Sequence, residues 1–370
     1  MGMNVRLRTA AVVACAVTVA GFAGTPAASG ASRNWERNLS SAVMPFNVAV
    51  NQQKVYVADG FKGTVSRVGG GTVVSMPGMD VAGIDLSADG KSMAWSWSNR
   101  DHSSTGLTIR TQGRKDVTAD LSGYEAAHNP DGSSTYGIVA GSNPCAEEIL
   151  GGLTGGAATY TGMIDSHPYS VARSGSGWLV ADAGANAILR VDAQGHVSTV
   201  SVLPAQPVTL TQAMVDGLAQ GMGMPAGSLD CLVGVTYAFE PVPTDVEVDR
   251  HGMLWVSVLP GGPEDPSLGA RGAVYRVNPG TGAATRVAGG FLGATNLAVA
   301  DDGTVYVTEL FGGRISKISG GHVSLARSFG GALSVEVHGG YLYVGQIGNV
   351  DFSTGEPQVV SLGSVMRFKR

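Results

Sequence analysis

The sequence predicts an all-β chain folded as a six-bladed β-propeller, and three observations lead there. One short pattern of alternating apolar and polar residues returns six times. Gly accounts for 55 of 370 residues while charged residues make up only 14%, a composition suited to many short strands and tight turns rather than to disorder. Finally, the two ends of the chain complement each other.

The clearest unit is "ATNLAVADDGTVYVTELFGGRISKIS", residues 294 to 319. Leu297 and Val299, Val305 and Val307, and Ile315 and Ile318 mark three strands A, B and C, because a half-buried strand turns every second side chain to the core. Gly303 and the pair Gly312, Gly313 punctuate them with the permissive backbone of turns. A lone meander buries too little to be stable. It aligns with "PFNVAVNQQKVYVADGFKGTVSRV" from Pro45, "VAGIDLSADGKSMAWSWS" from Val81, "HPYSVARSGSGWLVADAGANAILRV" from His167, "PTDVEVDRHGMLWVSVLP" from Pro243 and "ALSVEVHGGYLYVGQIG" from Ala332.

A fourth strand D follows C at Thr72 to Met76, Lys115 to Leu121, His196 to Val202, Ala284 to Ala288 and His322 to Phe329. The sixth unit ends at "SVMRFKR" with no D strand, and an unassigned "WERNLSSA" precedes the first unit. Pairing that N-terminal strand with the last unit closes a ring and removes the exposed edge. Seven blades is the alternative, with "YEAAHNPDGSSTYGIVAGS" as a degenerate blade between the second and third.

Residues 1–31 read as an export signal: Arg6 and Arg8 precede an apolar stretch from Ala10 to Ala23, then small residues ending in Ser29-Gly30-Ala31. The stretch is shorter than the roughly 20 residues that span a bilayer. Residues 32–370 then form a single propeller domain, secreted to the periplasm or the extracellular space, with no transmembrane segment and a monomeric state expected. Its net charge is negative, −5 for the whole chain before two arginines leave with the signal. An acidic chain is a poor match for nucleic acid. Two cysteines remain, Cys145 and Cys231, and in an oxidising compartment a disulfide between them is expected.

The A-to-B turns are all short, as hairpin geometry explains. Every long insertion falls on the opposite face, including the D-to-A excursions at residues 122–166 and 203–242, which carry the two cysteines. Function is expected on that elaborated face. In "TLTQAMVDGLAQGM" a short helix is expected with Thr209 or Thr211 as N-cap and Ala213, Met214 and Leu218 as its apolar stripe.

Strand parity brings A-strand starts and B-strand ends to the same mouth. Asn47, Asp245 and Asn296, with Glu309, form a candidate set of hard oxygen ligands for a divalent cation such as Ca²⁺; bonding to local turn backbone is the competing role. His167, just before the third A strand, is a candidate acid, base or ligand-binding residue. Glu264, Asp265 and Arg271 in "GGPEDPSLGARG" are candidates for binding a polar ligand, or for an internal tie within their loop. The sequence contains no Gly-x-Ser-x-Gly elbow, His-Glu-x-x-His helix, phosphate-binding Gly-Lys-Ser/Thr loop or Cys-x-x-Cys pair.

The phrases "EPVPTDVEVDRHG", "LPGGPEDPSLGARGAVYRV" and "GATNLAVADDGTVYVTELFGG", with "NPDGSSTYG" and "DSHPYSVA" upstream, resemble the bacterial ScyD/ScyE family, exported proteins encoded with scytonemin-type biosynthesis. The resemblance spans the mature chain. It implies an exported propeller related in shape to NHL-repeat and SMP-30-like propellers; "DAGANAILRV" looks like the NHL pattern. In SMP-30-like enzymes carboxylate and amide side chains at the propeller centre hold a metal, and Asn47, Asp245 and Asn296 look similar in kind, although those enzymes place a carboxylate where this chain has Asn47. Two functions follow: a binding or accessory protein that uses the elaborated face for a small molecule or cell-surface partner, or a metal-dependent hydrolase or lactonase at the central mouth.

Overall fold

Six antiparallel sheets follow one another along the chain, five of them four-stranded and the second carrying the extra short strand Met79–Asp80, each meandering outward from its first strand. The computed structural model describes residues 36–263, 266–351 and 357–370; residues 1–31, expected from the sequence to be an export signal, lie outside them. Blade 1 comprises Pro45–Asn51, Lys54–Asp59, Thr64–Arg67 and Gly71–Ser75, and blade 2 Ile84–Leu86, Ser92–Asn99, Thr105–Thr111 and Val117–Asp120. Blade 3 comprises Pro168–Ser174, Gly177–Asp182, Ala187–Val191 and Val197–Val202, and blade 4 Pro243–Val248, Leu254–Val258, Gly272–Val277 and Ala284–Phe291. Blade 5 runs through Ala294–Val299, Val305–Glu309, Arg314–Ser319 and His322–Ser328. In blade 6, Ala332–His338, Tyr341–Gln346 and Gly363–Lys369 are completed by the N-terminal strand Arg37–Ala42, which pairs antiparallel with Gly363–Lys369. An ion pair between Glu36 and Arg327 ties the start of that closing strand to blade 5. The first strands contact one another in chain order, and the sixth contacts the first, the arrangement of a β-propeller.

Apolar residues at alternate strand positions fill the wedges between sheets. Between blades 2 and 3, Leu107, Val171, Trp178 and Leu189 are buried, and truncating an indole as enclosed as Trp178 costs about 3–5 kcal/mol. Polar residues on the inner strands stitch each blade to the next. Asn51 Nδ2 donates to Ser87 O at 2.9 Å, Arg173 N to Asp85 Oδ2 at 2.7 Å, and Val246 N to Ser170 Oγ at 3.1 Å. Leu297 N donates to Asp245 Oδ2 at 2.9 Å, Val335 N to Asn296 Oδ1 at 2.7 Å, and Ser334 Oγ to Pro45 O at 2.7 Å. Every one of the six blade junctions carries such a bond, so these side chains satisfy backbone groups that the sheets leave unpaired at their inner edges.

The two excursions do not form a blade of this ring. They build a sheet of their own, in the order Thr159–Thr161, Thr135–Ala140, Thr236–Phe239, Gln206–Thr209. The segment offered as a degenerate seventh blade contributes the helix α1 (Leu121–His128) and one strand of that sheet. Two further helices, α2 (Pro144–Leu153) and α3 (Gln212–Gly221), pack on it around Ile138, Leu150, Val215 and Leu232. The Cys145–Cys231 disulfide joins the two excursions, with Cα atoms 6.2 Å apart. Thr211 caps α3; Met214 and Leu218 of the expected stripe pack half-buried against the same core as the fully buried Val215 and Ala219, while Ala213 is exposed. No described helix is long and apolar enough to cross a membrane.

Candidate functional site

The elaborated face holds a cavity of about 490 Å³ where the B-to-C loop of blade 2, helix α1, the entry to blade 3 and the insertion sheet meet. Each wall has a local cause. Asp120, at the end of blade 2, caps α1 by accepting from Gly123 N at 2.8 Å, which launches the helix across the mouth. Leu121 and Glu125 are the buried residues of α1; four residues apart, they share one face. Asn129 ends the helix in the left-handed region at φ 38°, a conformation Asn tolerates.

The entry to blade 3 is held by Asp182 at the end of its B strand. Asp182 is fully buried, and its Oδ1 accepts from His167 N at 2.6 Å and Ala185 N at 3.2 Å while Oδ2 accepts from Ser166 Oγ at 2.7 Å. Asp59 does the same for blade 1, accepting from Val43 N and Met44 N, and Glu309 for blade 5, accepting from Leu292 N. Close packing sets the position of Asp165 and His167 as well: a Cβ on Gly184 would come within 2.9 Å of the Asp165 carbonyl carbon and of His167 N.

Two imidazoles stack in the cavity wall, His102 on His167, with centroids 4.3 Å apart. His102 Nδ1 bonds Asp165 Oδ1 at 3.1 Å, and His167 Nε2 lies 3.7 Å from Asp80 Oδ2, beyond hydrogen-bond reach. Burial alone would lower the His102 pKa, but the bond to Asp165 and the negative charges of Asp165, Asp182 and Asp80 outweigh it and raise the value. Glu240 accepts from Tyr160 OH at 2.9 Å, and Asn186 Nδ2 donates to Asp131 Oδ2 at 2.9 Å. Asp131 Oδ2 also accepts from Tyr136 OH at 2.9 Å. Glu125 is different: it is 1% exposed, no side chain bonds either of its oxygens, and the Asp165 backbone N–H approaches the carboxylate. Burial, then the charges of Asp182 and Asp131, pushes its pKa up to about 8. Chemically the cavity offers a proton donor at Glu125, an Asp-supported imidazole at His102, and several carboxylate acceptors.

Of the residues singled out in the sequence, His167 lines this cavity. Arg271 stands in a separate small cleft with Leu259 and Phe311, where Nη1 donates to Gly261 O at 2.9 Å and the guanidinium lies 4.5 Å from the Phe239 ring centroid; it ties its own loop. Glu264 and Asp265 lie outside the described residues. The inner set Asn47, Asp245, Asn296 and Glu309 does not fit a divalent ion. Both Asp245 oxygens accept backbone N–H groups, from Val246 and Leu297, and Asn296 Oδ1 accepts from Val335 N. Glu309 is bonded by Arg314 at 2.8 and 2.9 Å, and Asn47 is buried in the ring. Among the described residues no group of three or more His, Cys, Asp or Glu is arranged to hold a metal.

No family model and no curated protein matches the chain. Solved structures superpose on the chain to different degrees. A protein of unknown function from Bacteroides thetaiotaomicron superposes with TM-score 0.52 at 11% identity over 91% of this chain and 72% of its own. Virginiamycin B lyase from Staphylococcus aureus gives 0.48 at 13% identity over 90% and 98%, and the calcium-binding protein regucalcin from Agrobacterium tumefaciens 0.40 at 11% over 72% and 68%. At these identities the likeness is one of β-propeller fold, and activity does not travel with fold.

Proposed function

We propose that this chain is an exported small-molecule-binding propeller that takes its ligand in the cavity bounded by His102, Glu125, His167 and Glu240. The observation that carries the reading is the cavity itself. Its volume falls in the range of small-ligand sites, roughly 300–1,000 Å³, and a few polar groups converge on it from four separate segments. The Cys145–Cys231 bridge supports export, since disulfides persist in oxidising compartments, and the resemblance to exported ScyD/ScyE propellers agrees with an accessory role. A second reading, metal-free acid–base catalysis at the same place, is favoured by the His102–Asp165 pair beside Glu125. For a metal-dependent hydrolase at the central mouth, no group of three or more His, Cys, Asp or Glu among the described residues is arranged to hold the metal.

Ala126 is exposed and lines the cavity, so Ala126→Phe fills it without disturbing the core. In a thermal-shift screen of small molecules, ligands of the cavity raise the melting temperature of the wild type and leave Ala126→Phe unmoved. Hits that stabilise both proteins equally would place binding elsewhere.

A further inference from the structure

Resting on the reading of the cavity as a ligand site, we infer that its ligand is an organic cation bearing N–H donors, a primary or secondary ammonium carried on an apolar body. The charge inventory leans acidic. Asp101, Glu125, Asp165 and Glu240 line the cavity with His102 and His167, and no Lys or Arg among the described residues lines it. Asp131 stands directly behind Asn186, which lines the wall and donates to it. A carboxylate removed from water is costly unless it is paired, and several together repel one another. Anionic ligands are thereby disfavoured.

The hydrogen-bond inventory narrows the cation. No side chain bonds either Glu125 oxygen, and both ring nitrogens of His167 in the same wall lack a partner. Once ionised, Glu125 takes donors only, and the unprotonated nitrogen of His167 takes one more. An ammonium bearing N–H groups supplies donors and charge together, a quaternary ammonium supplies charge alone, and a neutral polyol supplies donors alone. A directly coordinated divalent ion has no arranged group of three ligands among the described residues. At the mouth, Met163 and Ile164 line the cavity while 41% and 61% exposed, so an apolar body has surface to cover there.

The charge state of Glu125 gives a readout of its own. Its pKa of about 8 leaves it mostly protonated at neutral pH. A bound ammonium favours the ionised form, so binding releases a proton to the buffer.

The test uses the full mature protein and three probes on one carbon frame: hexamethylenediamine, hexamethonium and hexanediol, each titrated calorimetrically at pH 7 in buffers of different ionisation enthalpy. Hexamethylenediamine is expected to bind about tenfold or more tightly than either of the others, as loss of a charge-assisted hydrogen bond to a buried carboxylate implies. Its binding should release a fraction of a proton, and should weaken about tenfold in Glu125→Gln. Hexanediol or hexamethonium binding as well as the diamine would overturn the inference. So would diamine binding with no proton release in the wild type, a result that does not depend on how the variant folds. A neutral ligand blocked by Ala126→Phe, with no diamine binding, removes the ammonium and keeps the cavity; no ligand sensitive to Ala126→Phe removes both.

Discussion

At the scale of single residues, the polar groups of this propeller divide into those that are satisfied by the fold and those that are not. Asp182 belongs to the first kind, since its oxygens accept from His167 N, Ala185 N and Ser166 Oγ. Asp182→Ala strands two buried backbone donors at the entry to blade 3 and should destabilise the protein by on the order of 3 kcal/mol. Ligand affinity should fall with it, because His167 moves with its backbone. Denaturant unfolding measures the first effect, and a loss under about 1 kcal/mol would show that the entry holds without this carboxylate. Glu125 belongs to the second kind, and nothing in the fold explains an acid at that helical position.

At the scale of elements, the strands were legible because a period of two is written into each repeat, and the closing strand because the last unit lacks its fourth strand. Asp245 and Asn296 were legible as polar residues beginning A strands, but which atoms they bond depends on the neighbouring blade, and Asn51 and Asp85 lie elsewhere in their strands. The insertion sheet was not legible. It pairs Ile138 with Tyr237 and Gly137 with Ala238, strands from two excursions separated by the whole of blade 3, so no local pattern announces it. The site suffers the same way: His102 and Asp165 are 63 positions apart. Glu125 did leave a signal, since an acid one turn after Leu121, just past the Asp120 cap, falls on the face that α1 buries. His167 was found because its place before an A strand follows from the repeat itself.

The disulfide acts at this scale too. It closes a loop of separation 86, worth about 4.5 kcal/mol as an upper figure in the chain-entropy model. The stabilised part is the insertion sheet, which supplies Tyr160 to the Glu240 wall. The Cys145→Ala, Cys231→Ala double variant should therefore exchange its amides faster in 135–161 and 206–239, with inner strands such as Ala294–Val299 still protected. Uniformly faster exchange through the ring would instead mean that the excursions hold up the propeller.

For the whole molecule, the central ring carries charge that its stitches do not neutralise. Asp85 is pushed up to about 6 and Asp245 to about 7, in each case chiefly by burial. Glu247 and Glu336 are raised well above the ordinary carboxylate range, by burial first and then by the negative charges of the others. Folded-state pKa values above the unfolded ones mean that the native chain holds these protons more tightly. The resulting stabilisation is complete below about pH 4 and is lost as pH rises through 6 to 7 and beyond. Melting temperature should fall between about pH 5 and 8, and the Glu247→Gln, Glu336→Gln double variant should flatten that fall. A wild-type profile level across the same interval would show that the ring carboxylates titrate as they do in the unfolded chain.

The claim on which the functional reading rests is that a ligand enters the cavity over blade 3, and the histidines report on it directly. Of the seven in the chain, His102 and His167 line the cavity, whereas His196, His251 and His322 are exposed on the surface. In a titration followed by imidazole NMR, a ligand that stabilises the wild type and spares Ala126→Phe should shift the His102 and His167 resonances in saturable fashion and leave the surface three in place. Saturable shifts confined to the surface histidines, or saturation with no response at His102 and His167, would contradict it.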